Sequence, residues 1–223
     1  PTTAGDFTRR FRSERNILAL QEAINATRKK VWKKQPRASR RQAIMDVDGT
    51  IAPTEGECKQ GMGLSYKGDW GYHPLLVSLA NTREPLYLVN RPGNVPSHAD
   101  APEWIDRALD LVEGTFDTVL LRGDTDFSLT KHLDRWDKRA TFIFGYDARK
   151  QLVELADRLP PRGWKRLRRP PRYTVQTEER ARPENVKDRI VCEKEYENLR
   201  LQGEHVAEFE YRPNACRQPY RMV

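Results

Sequence analysis

The sequence predicts an α/β protein: a mixed sheet with helices, followed by a small antiparallel β subdomain. Three observations carry this. Two apolar runs, in residues 43–51 and 118–126, each drive straight into Asp residues, as strands ending at a ligand-binding sheet edge do. Between them lie two further strand-like runs and then an amphipathic helix. Beyond Pro160-Pro161 the helical periodicity gives way to short polar–apolar alternation.

In chain order, residues 1–12 are polar and Arg-rich, and are expected to be irregular. Ser13 can cap a helix whose apolar stripe is Ile17, Leu18, Leu20, Ala23 and Ile24. Lys and Arg crowd its C-terminal end around Trp32, where the helix dipole favours cations. Trp32 reads as a buried anchor, and Pro36 as the stop. The Gly-rich passage after Thr50 lacks phosphate-loop spacing and reads as loop or β-turn. His73–Leu79 and Leu86–Asn90 read as strands with a hairpin-length link, closed by the turn Arg91-Pro92-Gly93-Asn94. His73 reads as a polar strand residue, since no His or Cys partner stands at metal spacing.

Pro102 opens a helix carrying Trp104, Ile105, Ala108, Leu109, Leu111 and Val112, and Gly114 ends it. A buried strand over 118–121 follows. Ser128 is the expected cap of the next helix, before a strand over 141–146 and a helix over 148–159. Residues 162–223 read as antiparallel, with alternation at 164–167, 188–193 and 205–211. Three segments result: a basic N-terminal segment (1–41), an α/β core (42–160) and a basic β-rich subdomain (161–223).

The net charge of +8 is uneven. Residues 1–41 carry 12 Lys and Arg against 3 acidic side chains, and residues 162–182 carry 8 against 2. Residues 42–161 carry 13 against 19. An acidic middle between basic flanks suits a cation site whose substrate is a polyanion. Lys29, Lys30, Lys33, Lys34, Arg40, Arg41, Arg166, Arg168 and Arg169 are the candidate DNA contacts. No run reaches the ~18 apolar residues of a membrane span. Cys58, Cys192 and Cys216 form neither a zinc spacing nor a disulfide framework, which fits a reducing compartment.

Asp46 and Asp48 stand one residue apart in the first strand, so both point to the same face. Two carboxylates on one face of a buried strand cost on the order of several kcal/mol unless a cation or proton offsets them. A hard divalent ion, Mg²⁺ or Mn²⁺, is the usual offset. Asp124 ends a later strand of the same design. The order of three strands, helix, strand, helix, strand, helix suits an RNase H-like core, in which the ends of the first and fourth strands are neighbours.

The motifs Asp46-Val-Asp48-Gly-Thr50, Gly71-Tyr-His73-Pro-Leu, Arg91-Pro-Gly-Asn94 and Leu121-Arg-Gly-Asp124-Thr-Asp-Phe127 together resemble DDE-type insertion-sequence transposases of bacteria. The closest likeness is to the group whose core is interrupted by a β-rich insertion. The resemblance implies an RNase H-like fold, catalytic and metal-binding roles for Asp48 and Asp124, and two Mg²⁺ or Mn²⁺ ions in the complete site. It makes Asp46 an outer neighbour of the metal. Asp126 departs from the pattern, which favours Gly there. The implied partners are double-stranded DNA, as element ends and target, and a second copy in a homodimer, in the nucleoid-associated cytoplasm of a bacterium. The third acid, a Glu on a helix after the insertion, has no matching run before Val223. The expectation is therefore a chain that stops short of it and is inactive alone.

Two rival readings share these residues. Asp-Val-Asp-Gly-Thr also opens haloacid dehalogenase-like phosphatases, with Asp46 as nucleophile and Asp48 as general acid/base. Asn90 and Gly145-Tyr146-Asp147 fit that family's later motifs poorly. The other rival is a non-catalytic remnant that binds DNA through its basic flanks.

Overall fold

The computed structural model describes residues 3–56, 59–167 and 205–223, which form two compact units. The first comprises Pro1–Asp147 with Pro213–Gln218, and the second Ala148–Arg212 with Pro219–Val223.

The first unit opens with α1 (Thr3–Thr8), a short helix with no buried residue, where the sequence suggested irregular chain. In α2 (Glu14–Lys34) the Ser13 hydroxyl accepts from the Asn16 amide, and the helix ends at Gln35, ahead of Pro36. Strands β1 (Gln42–Gly49), β2 (Ala52–Pro53), β3 (Gly63–Leu64), β4 (Trp70–Tyr72), β5 (Leu75–Leu79) and β6 (Glu84–Val89) follow. Then come α3 (Ala101–Val112), β7 (Thr118–Gly123), α4 (Thr130–Trp136) and β8 (Thr141–Phe144).

The main sheet runs β6-β5-β1-β7-β8. Strands β5 and β6 are antiparallel to their neighbours, whereas β7 and β8 run parallel to β1. This is the mixed, RNase H-like order expected from the sequence. Alternation assigns each face. Ala43, Met45, Val47, Leu75, Val77, Leu79 and Leu121 are buried on one side, where α3 packs against β5 and β6. Trp136 of α4 joins this core fully buried, its indole N–H donating to Asp106 of α3 at 3.0 Å. The other face carries Ile44, Asp46, Asp48 and Arg122, half-buried or exposed.

Helix α2 satisfies the open edge of β6 through side chains. The Leu88 amide donates to Gln21 Oε1 at 2.7 Å, and Asn25 Nδ2 donates to the Leu86 carbonyl at 3.0 Å. An edge strand otherwise leaves such groups free to pair with another chain. Trp32 is buried beside Phe116, and its indole N–H donates to Glu84.

The Gly-rich passage folds into a second sheet of order β2-β4-β3 rather than loops alone. Ser128 does not cap α4: its hydroxyl donates to the Thr125 carbonyl, and Leu129 holds the cap position without a side-chain bond. Residues 213–218 pack on α4, with the Arg217 amide on Asp134 at 2.7 Å and the Cys216 thiol on the Thr130 carbonyl at 3.2 Å.

The second unit holds α5 (Lys150–Asp157), β9 (Lys165–Arg166), β10 (His205–Val206), β11 (Phe209–Tyr211) and β12 (Tyr220–Met222). Strand β9 pairs with β10 and β11 with β12, all antiparallel. The run at 205–211, expected as one strand, breaks into two around Ala207-Glu208. The expected strand at 188–193 lies outside the described residues. Among the described residues no helix is long and apolar enough to cross a membrane.

Candidate metal centre

The site grows from the register of β1 on β7. In this parallel pair Asp46 lies opposite Arg122 and Val47 opposite Gly123. Next along the chain come Asp48, still within β1 opposite Leu76, and Asp124, which follows the last residue of β7. Since alternate residues share a face, Asp46, Asp48 and Arg122 belong to the face away from the buried core. Asp48 and Asp124 are both exposed.

The two Asp residues of β1 are not equivalent. Arg122 donates from Nε to Asp46 Oδ1 at 2.7 Å and from Nη2 to Asp46 Oδ2 at 2.8 Å. This fork-to-fork pair occupies both oxygens of Asp46, and the hydrogen bonds that Arg122 donates to Asp46 hold the guanidinium above its ordinary pKa. Among the described residues Asp48 has no such partner. Asp124 Oδ1 accepts from the Asp126 amide at 3.0 Å, capping the turn Thr125–Phe127, which leaves Oδ2 available.

Glycines fix where the strands end. A Cβ on Gly123 would meet Phe127, Val47 and Phe144 at 3.0–3.1 Å. Without one, Phe127 packs against this point fully buried. A Cβ on Gly49 would stand 2.9 Å from His73 Nε2 and 3.1 Å from Ser97. His73 is buried, with Nδ1 2.6 Å from the Val95 carbonyl and Nε2 3.5 Å from Ser97 Oγ.

Behind His73 lies a feature that sequence reasoning missed. Arg91 is buried, and donates from Nε to the His73 carbonyl at 3.0 Å and from Nη1 to the carbonyls of Ser97 (3.1 Å) and Ala99 (2.6 Å). Its Nη2 is buried without a partner. Burial pulls its pKa down against the opposing charge of Asp100. Arg91-Pro-Gly-Asn94 reads in the sequence as a turn and as one motif of the resemblance, not as a buried cation. A strand leading into an Arg was the available signal, and a buried Arg needs acceptors the sequence does not name.

The remaining candidates are spread out. Lys30, Lys33 and Lys34 are exposed along the end of α2, Lys29 is half-buried there, and Arg40 and Arg41 lead into β1. Arg166 is exposed in β9 of the second unit, and Arg168 and Arg169 lie outside the described residues.

As a donor set, Asp48 and Asp124 fit a hard divalent cation. They offer carboxylate oxygens free of ion pairs at the end of adjacent strands, and such ions are commonly held by one or two carboxylates with substrate phosphates completing the shell. No cluster of three His, Cys, Asp or Glu that could hold a metal forms among the described residues.

The fold is a mixed five-stranded sheet with flanking helices and small antiparallel sheets. The family described as Transposase DDE domain group 1 matches residues 5–216, and the chain belongs to it. Among solved structures, a piggyBac transposase in a synaptic complex with hairpin DNA is similar, at 16% identity and a TM-score of 0.39. The similarity covers 57% of this chain and 28% of that one, so the match spans under a third of that protein's length. No curated protein matches the sequence.

Proposed function

We propose that this chain carries two of the carboxylates of a Mg²⁺-dependent DNA transposase of insertion-sequence type, Asp48 and Asp124. The observation that supports this is the β1–β7 register, in which Val47 pairs with Gly123, the residues immediately before Asp48 and Asp124. Family membership supports transposase function and divalent-metal use in general.

In this reading Asp48 and Asp124 hold two Mg²⁺ or Mn²⁺ ions. Bound there, the ions neutralise charge at a phosphodiester and lower the pKa of an attacking water. The chain's own part is placement. Gly49 and Gly123 lock the strand ends, and Arg122 keeps the Asp46 charge paired, so the anion count at the site stays low enough for a phosphate to enter. The cations of α2 with Arg40 and Arg41, and Arg166 with Arg168 and Arg169, contact DNA phosphates. Water and then a DNA 3′-hydroxyl attack in line, giving cleavage and strand transfer. A homodimer would bring two element ends together.

The phosphatase reading gains nothing. Strand β5 runs antiparallel beside β1, and Asp46, its nucleophile, has both oxygens in the Arg122 fork.

The test is nicking of supercoiled plasmid in Mg²⁺ or Mn²⁺ against EDTA, with DNA affinity measured across salt. Cleavage lost in Asp48→Ala and Asp124→Ala with binding retained is the expected result in the full-length protein. Retained cleavage in either variant refutes the assignment. A steep salt slope without nicking would favour a DNA-binding remnant.

A further inference from the structure

Helix α2 turns its polar side chains to the body of the unit and its apolar ones to solvent. Gln21, Asn25, Arg28 and Trp32 dock it on β6, through hydrogen bonds to the Leu88 amide, the Leu86 carbonyl and Glu84. On the outside, Ile17 is 42% exposed, Ile24 47% and Val31 50%. A surface helix ordinarily packs its apolar stripe on the core. The apolar positions that mark this helix in the sequence therefore do not explain how it docks.

The outward residues form a seam. Ile17, Leu20, Ile24, Thr27 and Val31 follow one another in alternating steps of three and four, the spacing by which paired helices interlock. At 3.6 residues per turn, this line runs roughly 120° round the helix from Asn25 and Trp32. Leu20 is half-buried and Thr27 exposed. The Thr27 hydroxyl donates to the Ala23 carbonyl at 3.1 Å, so it brings no unmet donor to a dry contact. Ala19, Ala23 and Ala26 beside the seam are exposed and small, which leaves room for a close neighbour.

We propose that this seam pairs α2 with the α2 of a second copy, antiparallel, about a two-fold axis at Ile24. The pairing gives a surface to the homodimer of the transposase reading above, and rests on that reading for its role. Symmetry selects a second copy. Ile17 and Val31 stand seven residues either side of Ile24, so turning the helix end for end lays the stripe on itself. A two-fold contact needs that self-complementarity.

Charge sets the direction. Residues 14–27 carry Glu14, Glu22 and Arg15, a net of −1, whereas residues 28–34 carry Arg28, Lys29, Lys30, Lys33 and Lys34, a net of +5. Parallel helices would set the two basic ends side by side. Antiparallel ones hold them about 20 Å apart along the axis and leave the lysines of each free to meet DNA.

Size sets the strength. The helix spans 21 residues. That is a rod about 31 Å long and ~10 Å wide, so each copy gives up roughly 300 Å², under the ~800 Å² that a standard interface takes from each partner. The dimer is therefore weak without DNA, and two chains held on neighbouring DNA sites gain it by proximity.

The test is sedimentation of the full chain without DNA or metal, over about 1–300 μM, where a monomer–dimer equilibrium with a Kd of about 100 μM is expected. Ile24→Asp sets two carboxylates at the axis and weakens the dimer at least about tenfold, with the Tm and the DNA affinity of the dilute monomer unchanged. Direction is read by cross-linking with Cys58 and Cys192 replaced by Ser. Ile24→Cys forms a disulfide dimer alone, and Ile17→Cys does so only when mixed with Val31→Cys. A wild-type chain that stays monomeric throughout, a dimer indifferent to Ile24→Asp, or Ile17→Cys that cross-links to itself as fast as to Val31→Cys overturns the proposal. So does a fall of more than about 4 °C in the Tm of Ile24→Asp, which would show the stripe covered within one chain. Weaker DNA binding by that variant when dilute also overturns it, since DNA would then be what covers the stripe. A monomer whose nicking still depends on Asp48 sinks the pairing and leaves the transposase reading standing. A dimer sensitive to Ile24→Asp without nicking in the full-length protein does the reverse.

Discussion

Arg122 holds Asp46 in a two-point grip across β1 and β7, two residues before Asp48 in one strand and two before Asp124 after the other. The pairing separates two carboxylates that the sequence presents as near-twins. Asp46 is paired with a neighbouring guanidinium, whereas Asp48 has no such partner among the described residues.

Removing that grip is expected to change metal binding far more than stability. Both side chains are over a third exposed, so the pair contributes under about 1 kcal/mol. Arg122→Ala leaves Asp46 unpaired beside Asp48 and adds a third carboxylate to the face. The expected result, read by isothermal titration with Mn²⁺, is tighter binding by about tenfold with a nearly unchanged melting temperature. Unchanged affinity would mean that Asp46 stands too far from the site to matter.

The strands of the main sheet and their order were legible because apolar runs and strand alternation are local signals. The cap of α4 was not, since Ser128 and Leu129 compete for it and the Ser128 hydroxyl finds the Thr125 carbonyl instead. The hidden parts depend on partners far away in sequence. Arg122 meets Asp46 across 76 residues, and Asn25 meets the Leu86 carbonyl across 61. Nor could spacing show that Gly63, Gly71 and Gly93 lie against one another's backbones rather than serving loose turns.

Arg91 is expected to be a stability residue at the edge of the site. Arg91→Met leaves the carbonyls of His73, Ser97 and Ala99 without their donor. The loss is about 3 kcal/mol, a fall of roughly 6–12 °C in Tm for a chain of this size. Calorimetry reads it, and a fall of less than about 2 °C would show that water replaces the guanidinium without cost.

The docking of α2 on β6 carries a pH signature through Glu84. Burial pushes its pKa up, but hydrogen bonds from Thr82, Trp32 and Arg28, with the charge of Arg28, outweigh burial and leave it below the ordinary 4.5. A lowered carboxylate pKa stabilises the fold above the unfolded value, and that stability is lost as pH falls through the folded value. Wild type should therefore exceed Glu84→Gln in urea stability at pH 7 by under about 1 kcal/mol, with the gap closing below pH 4.5. A gap that persists or widens on acidification would contradict this origin.

The central claim is that β1 and β7 bring Asp48 and Asp124 into one cation site from which Asp46 is withheld. Mn²⁺ titration followed by electron paramagnetic resonance, on wild type, Asp46→Asn, Asp48→Asn and Asp124→Asn, tests it without requiring cleavage. The account predicts binding that survives in Asp46→Asn and is lost in both Asp48→Asn and Asp124→Asn. Binding lost in Asp46→Asn, or kept when either Asp48 or Asp124 is replaced, would contradict it.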